Sequence, residues 1–275
     1  VAEISLQIPM TQLVISRADL LAKEWTGKNI EAAVSAGTLT RVAHGWYAHP
    51  TAESWLIEAV RVGGRLGCLS GCKHHGLWTP SHPKPHIVVG KGVTVGRAGW
   101  HRHTAALPGQ AVFPVKDCLA QVIRHHSPEE ALMVLESAAH KELITRTEAE
   151  LLIADAPARK QRVLKFFSPL AESGSETRVR LWLQQQRIPV QAQVWIAGVG
   201  RVDLLVGRSL VLECDSAEFH EYRDEDYERY LGLRDLGYTP VGLAFNQVHH
   251  SWEATKLSLQ AELRSGLHLR PPSPR

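Results

Sequence analysis

The chain has 275 residues, 44% hydrophobic and 21% charged, with a net charge of +3. These are the proportions of an ordinary soluble globular protein; the length predicts two or three domains, and no apolar run approaches the ~20 residues that would span a bilayer. The N-terminus has no signal-peptide pattern, and four cysteines without a disulfide spacing (Cys68, Cys72, Cys118 and Cys214) predict a reducing cytoplasm.

In chain order, Ser16-Arg17-Ala18-Asp19 reads as a helix N-cap, with a helix running to about Trp25. Thr26 can cap a second helix, Gly27 to Ala36, with Gly37 as its C′ residue. Leu39 to Ala48 alternates around His44-Gly45, the pattern of a β-hairpin. Helix, turn, helix, hairpin is the order of a winged helix-turn-helix over residues 1–50. Its second helix would offer Lys28 and Asn29 to a DNA major groove, and its wing Arg41 and His44. A small helical domain packed on the rest of the chain fits the same spacing.

Residues 51–165 predict an α+β middle domain. Helical periodicity runs through Ser54–Val62 and Pro128–His140, and His86–Val89 and Trp100–His103 suggest short strands. Cys68, Cys72, His74 and His75 lie close together, with His82, His86, His101 and His103 further on. One Cys-x₃-Cys with scattered histidines departs from the paired knuckles of structural zinc sites. A helix capped at Ser70 would make Cys72 and His75 ordinary helical residues. Pro157-Ala158-Arg159-Lys160 and Ser173-Gly174-Ser175 look like linker, which predicts a boundary near 166–172.

The last segment, 166–265, predicts a helix (Glu176–Arg187), a strand (Val190–Ile196), a hairpin (Arg201–Val206 and Leu210–Cys214), a polar helix (Arg223–Leu236), a strand (Tyr238–Phe245) and a helix (Ser251–Leu263). Three prolines in residues 266–275 predict a disordered tail. Charge is uneven: residues 51–165 carry 15 Lys+Arg against 10 Asp+Glu, and residues 166–275 carry 12 against 14. Eight of those 14 carboxylates fall between Glu213 and Glu228, a solvated charge run or a cation site.

Asp203 lies in the first hairpin strand; Glu213 and Asp215 end the second, two apart and so on one face. A tight turn brings Asp203 opposite them. Carboxylates on apolar strands are costly to bury unless paired or bound to a cation, and such an oxygen set suits Mg²⁺ or Mn²⁺.

Asp-x₉-Glu-x-Asp on a hairpin resembles the metal motif of the PD-(D/E)XK nucleases. The match runs from Ser168 to Leu263, through Ser173-Gly174-Ser175-Glu176-Thr177-Arg178, Gln193-Val194-Trp195-Ile196, Gly198-Val199-Gly200-Arg201-Val202-Asp203, Phe219-His220 and Gly237-Tyr238. Asp215 in place of the usual Lys is similar to the branch that looks like the Vsr (very-short-patch-repair) endonucleases, the DUF-559 family. Ser216, Tyr230 and Cys214 depart from the residues common in that branch. The resemblance implies a restriction-endonuclease-like mixed sheet flanked by helices. Asp203 and Glu213 would be the principal ligands of Mg²⁺ or Mn²⁺, with Asp215 as a third and Glu176 leaning towards the metal. His220 would protonate the leaving oxygen or orient a phosphate, and Arg229, i,i+3 from Asp226, would face the site and bind the DNA there. Glu176 also fits a Ser173-x-x-Glu capping box, Asp226 and Arg229 an ordinary helix pair, and His220 an exposed loop histidine.

The front, from Ser16 to Ala48, looks like the winged-helix domain of AbiEi-type antitoxins, and Leu69-Ser70-Gly71-Cys72-Lys73-His74-His75-Gly76-Leu77 resembles the Ser-capped helix that opens the domain following it in such proteins, which implies an AbiEi-like middle domain over 51–165. The expectation is therefore a multidomain α+β, α/β chain acting as a metal-dependent DNA endonuclease with an N-terminal DNA-binding domain. The alternative is an antitoxin-like DNA-binding regulator whose nuclease fold is catalytically silent, for which the resemblance leaves a toxin partner open. Helix-turn-helix proteins often pair as homodimers, although no heptad seam supports one here.

Overall fold

The computed structural model describes residues 13–95, 99–214 and 224–273, without the side chains of 224–226. It is a mixed α+β structure with three small sheets and, among the described residues, twelve α-helices. No helix there is long and apolar enough to cross a membrane. The chain divides into two compact units, residues 1–126 and 127–275.

The first unit opens with β1 (Val14–Ser16), α1 (Arg17–Ala22), α2 (Gly27–Ser35), β2 (Thr40–Ala43) and β3 (Trp46–Ala48), the strands ordered β1-β3-β2. Local chemistry sets both helix starts. Ser16 Oγ accepts from Asp19 N–H at 3.1 Å, and Thr26 and Asn29 form a reciprocal capping box. The first helix stops at Ala22 rather than Trp25, because Glu24 takes a left-handed φ of 66° and turns the chain. Each face of this sheet packs into a different core. Ile15 and Tyr47 join Leu20, Ile30 and Leu39. Val14, Val42 and Ala48 join Leu56, Val60, Leu66, Ile87 and Val89 from further along the chain. Residues 14–48 therefore share a core with the later elements of the same unit.

The rest of the unit comprises α3 (Ser54–Arg61), β4 (Arg65–Leu66), α4 (Cys68–His74), β5 (His86–Val89), β6 (His101–Thr104) and α5 (Val115–His125). Helix α4 starts at Cys68, ahead of the predicted Ser70 cap. Ser70 lies inside it, with its Oγ accepting from His86 N–H at 2.7 Å.

The second unit begins with α6 (Pro128–His140), α7 (Arg146–Ala154) and α8 (Ala158–Leu164), then α9 (Gly174–Gln185). The linker-like stretch at Pro157 is the start of α8, with Lys160 and Leu164 buried. These helices are tied to α9, not to a domain ending at 165. Glu136 of α6 is 1% exposed, ion-paired with Arg180, and accepts from Thr177 Oγ1 at 2.6 Å and Ser168 N–H at 2.7 Å.

Next come β7 (Val190–Ile196), β8 (Gly200–Val206), β9 (Leu210–Cys214), α10 (Asp224–Asp235), β10 (Thr239–Leu243), α11 (Phe245–His249) and α12 (Trp252–Arg264). The sheet order is β10-β9-β8-β7, antiparallel except for the parallel β9–β10 pair. Val179, Trp182 and Leu183 of α9 and Leu259 of α12 bury Leu204, Val206, Leu210 and Leu212; Leu233 of α10 packs with Ile196, Val202 and Val211. The last strand stops at Leu243, since Phe245 opens α11.

The tail predicted to be disordered is ordered as far as Ser273. Arg208 N–H donates to His268 O at 2.7 Å and Ser209 Oγ to Leu267 O at 3.0 Å. Gly207 (φ 62°) and Gly237 (φ 86°) permit this, because a Cβ on either would run into the backbone of His268 or Ser273.

Candidate carboxylate site

The β8–β9 ladder runs through Val206–Leu210, Leu205–Val211 and Leu204–Leu212. One step further the side chains take over from the backbone. Cys214 N–H donates to Asp203 Oδ2 at 2.8 Å, and Asp203 N–H to Glu213 Oε2 at 3.3 Å. The two acids are thus held by main-chain donors of each other's strands, on the hairpin where the sequence predicted them to meet.

Glu176, in the first turn of α9, is the third acid. Ser173 Oγ accepts from Glu176 N–H at 3.1 Å, so half of the predicted capping box is present. The reciprocal half is not, because the carboxylate turns elsewhere. It is 3% exposed and accepts from Glu172 N–H at 3.2 Å and Gln193 Nε2 at 2.7 Å. Burial, then the charge of Asp203, pushes Glu176 up to about 7. The same two causes push Glu213 up to about 7, against the pull of Arg229. Burial also raises Asp203, against its bond from Cys214 and the nearby Arg229. The charge of Asp203 thus acts on both glutamates, which couples the three acids electrostatically.

Arg229 of α10 donates to Glu213 Oε1 at 2.7 Å and also to Arg201 O. The predicted placement of Arg229 at the site is what its contacts show, whereas the side chain of Asp226 lies outside the described residues, as do Asp215 and His220. Tyr230 donates to Pro240 O at 2.5 Å.

Gln193 is a site residue that the sequence pattern did not single out. It sits in β7 with a left-handed φ of 55°, a backbone conformation that costs a non-glycine residue ~1–2 kcal/mol. Its side chain donates to Glu176 and also hydrogen-bonds Asp203, and its Oε1 is buried without a hydrogen-bond partner. The sequence offered two signals, its place in the Gln193-Val194-Trp195-Ile196 stretch and a polar side chain two positions from Gln191, and neither gave it a role.

Of the residues predicted to meet DNA, Arg229 lies in the second unit and Lys28, Asn29, Arg41 and His44 lie in the first. Lys28, Arg41 and His44 are exposed, on α2, β2 and the β2–β3 turn. Asn29 is half-buried and its Oδ1 accepts from Thr26 N–H at 2.9 Å, which commits that oxygen to capping.

The site is thus a three-carboxylate cluster at the splayed end of a hairpin in a mixed four-stranded sheet. No family model matches the chain, and no curated protein matches it. Among solved structures it is similar to the RV2827C protein from Mycobacterium tuberculosis, at 17% identity and a TM-score of 0.20 over 62% of this chain and 71% of that one.

Proposed function

We propose that the chain is a metal-dependent endonuclease that hydrolyses phosphodiester bonds in DNA, with its carboxylate cluster as the active site. The observation that carries this reading is the convergence of three largely buried acids, in which Asp203 and Glu213 take hydrogen bonds from each other's strands and the charge of Asp203 raises both Glu176 and Glu213. Buried acids that repel one another cost stability unless a cation joins them. The donor set fits Mg²⁺ or Mn²⁺: three carboxylates and the unpartnered Gln193 Oε1 are all hard oxygens. Asp203 and Glu213 would hold the ion, with Glu176 beside them and Asp215 as a further acid of the motif. A bound divalent ion supplies an activated water and charge stabilisation at the phosphoryl group.

The chain's own residues do the rest. Cys214 N–H and Asp203 N–H fix the carboxylate rotamers, Gln193 spans Glu176 and Asp203, and Arg229 orients Glu213. His220, by its place after the hairpin, would donate a proton to the leaving 3′ or 5′ oxygen. Lys28, Arg41 and His44 would bind phosphates from the first unit, and Asn29 would sit beside them. A cytoplasmic setting suits both this activity and the four buried thiols.

One observation favours a second reading. Arg229 already pairs with Glu213, so a cation-free site is partly neutralised by the chain itself. A DNA-binding, antitoxin-like regulator with a silent nuclease fold, answering to a toxin partner, would have no need of the ion. The test is cleavage of single-stranded, double-stranded and mismatched DNA with Mg²⁺, Mn²⁺ or EDTA, using wild type and an Asp203→Asn/Glu213→Gln variant. Metal-dependent cutting by wild type alone establishes the nuclease. DNA binding by both proteins with no cutting by either establishes the regulator.

A further inference from the structure

The first unit holds a second constellation, unconnected with the carboxylate site. Strands β5 and β6 pair in parallel with His86 opposite His101 and Val88 opposite His103. Paired residues in a sheet share a face, and so do residues two apart on a strand, so all three imidazoles stand on one side. One ligand atom from each lies within 4.8 Å of the others. A second group, Cys68, His86 and His126, meets the same condition and shares His86. In the sequence these residues are scattered across some sixty positions, and only the parallel pairing of two short strands brings them together.

We propose that His86, His101 and His103 bind one divalent transition-metal ion of the zinc class, with water in the fourth position.

Three details of the geometry support this. His86 Nδ1 and His103 Nε2 are 3.1 Å apart, close to the separation of two nitrogens bound at about 2.0–2.1 Å to one tetrahedral ion. Three imidazoles on such an ion would have ring centres about 5 Å apart. The observed ring separations are 5.3 Å for His86–His103, 5.1 Å for His101–His103 and 4.4 Å for His86–His101. His86 and His103 are 3% and 7% exposed, whereas His101 is open to solvent and gives an ion a way in.

The hydrogen bond between His86 Nδ1 and His103 Nε2 would be given up on binding, its proton moving to the far nitrogen of the ring that carried it. Imidazole nitrogens select zinc, copper, nickel and cobalt over Mg²⁺, so this ion is chemically distinct from the one proposed for the carboxylates. Its structural effect would be to tie β6, mostly exposed and paired only with β5, to the buried strand beside it.

The test uses the full-length chain, stripped with a chelator and titrated with Zn²⁺ and with Co²⁺ as a spectroscopic substitute. One equivalent of tightly held Zn²⁺ is expected, with the visible absorption of four-coordinate Co²⁺ and a rise in the thermal midpoint. An excess of Mg²⁺ should displace neither ion. His101→Ala changes an exposed residue, and it should weaken Zn²⁺ binding ten- to a hundred-fold with the circular dichroism unchanged. His103→Gln is the buried counterpart. Asp203→Asn/Glu213→Gln should bind Zn²⁺ like wild type, which separates this site from the nuclease reading. Less than half an equivalent bound by wild type, or undiminished affinity in a folded His101→Ala protein, overturns the proposal.

Discussion

Gln193 concentrates several costs in one residue. Its backbone is left-handed within a strand, and its Oε1 is buried without a partner, yet its amide group reaches two of the three acids. Strain of this kind persists where the surroundings over-determine it, and it gathers at functional sites. Gln193→Leu keeps much of the volume and removes the amide. Single-turnover DNA cleavage by this variant is expected to fall ~10–100-fold, as for other residues that orient metal ligands, while thermal unfolding stays close to wild type. Unchanged cleavage would make Gln193 a packing residue.

The acids themselves predict a pH response. Glu176 and Glu213 are raised to about 7 in the folded chain. In the unfolded chain they would titrate near ~4.3, so between about pH 4.5 and 7 the folded state binds more protons. Stability contributed by these groups is therefore greatest at low pH and declines as pH rises through that window, levelling off above it. Urea unfolding without metal should show this decline, superimposed on the other titrating groups. Mg²⁺ should offset it, and should bind more tightly at pH 8 than at pH 6, because ligation requires the protons to leave. An unfolding midpoint at pH 8 that Mg²⁺ leaves unmoved would argue against a cation at these carboxylates.

At the scale of elements, the second unit depends on a contact that joins its helices. Glu136 of α6 pairs with Arg180 of α9, the two being 1% and 3% exposed, and Ser168 and Thr177 complete its hydrogen bonds. Burial still raises Glu136, so desolvation outweighs the pull of Arg180. Removing one member of a buried pair strands the other. Glu136→Ala should cost ~3–5 kcal/mol in chemical denaturation, whereas a paired change to apolar residues should cost much less. For the same reason a fragment of residues 166–275, cut at the boundary the sequence suggested, should fail to fold alone.

What the sequence made legible at this scale has a physical pattern. Signals confined to a few neighbouring residues were readable: the Ser16 and Thr26 caps, the His44-Gly45 turn, and the alternation that put Asp203 and Glu213 on facing strands. Features fixed by distant partners were not. Pro157 looked like linker because the burial of Lys160 and Leu164 depends on other helices. Ser70 looked like a cap because its true partner, His86 N–H, is sixteen residues away. The histidines of β5 and β6 looked scattered because a parallel pair needs a crossover that no local pattern announces.

For the whole molecule, the division into two units gives the proposed function a separable form. The residues suited to phosphate contact, Lys28, Arg41 and His44, belong to residues 1–126, and the carboxylate cluster belongs to residues 127–275. Each phosphate contact releases counterions, so each lost contact lowers the slope of log K against log salt by ~0.9. Lys28→Ala/Arg41→Ala should therefore weaken DNA binding at low salt and reduce that slope by up to about 2, with little change in sequence preference. Turnover at saturating DNA should stay near wild type, because neither residue is a member of the carboxylate site. Asp203→Asn/Glu213→Gln should behave in the opposite way, binding DNA with the wild-type salt slope and cutting none. If instead the front variant binds normally, DNA contact lies elsewhere on the chain, and the helix–turn–helix–hairpin segment acts as a packing layer. Its sheet already does that work, joining a core on each face.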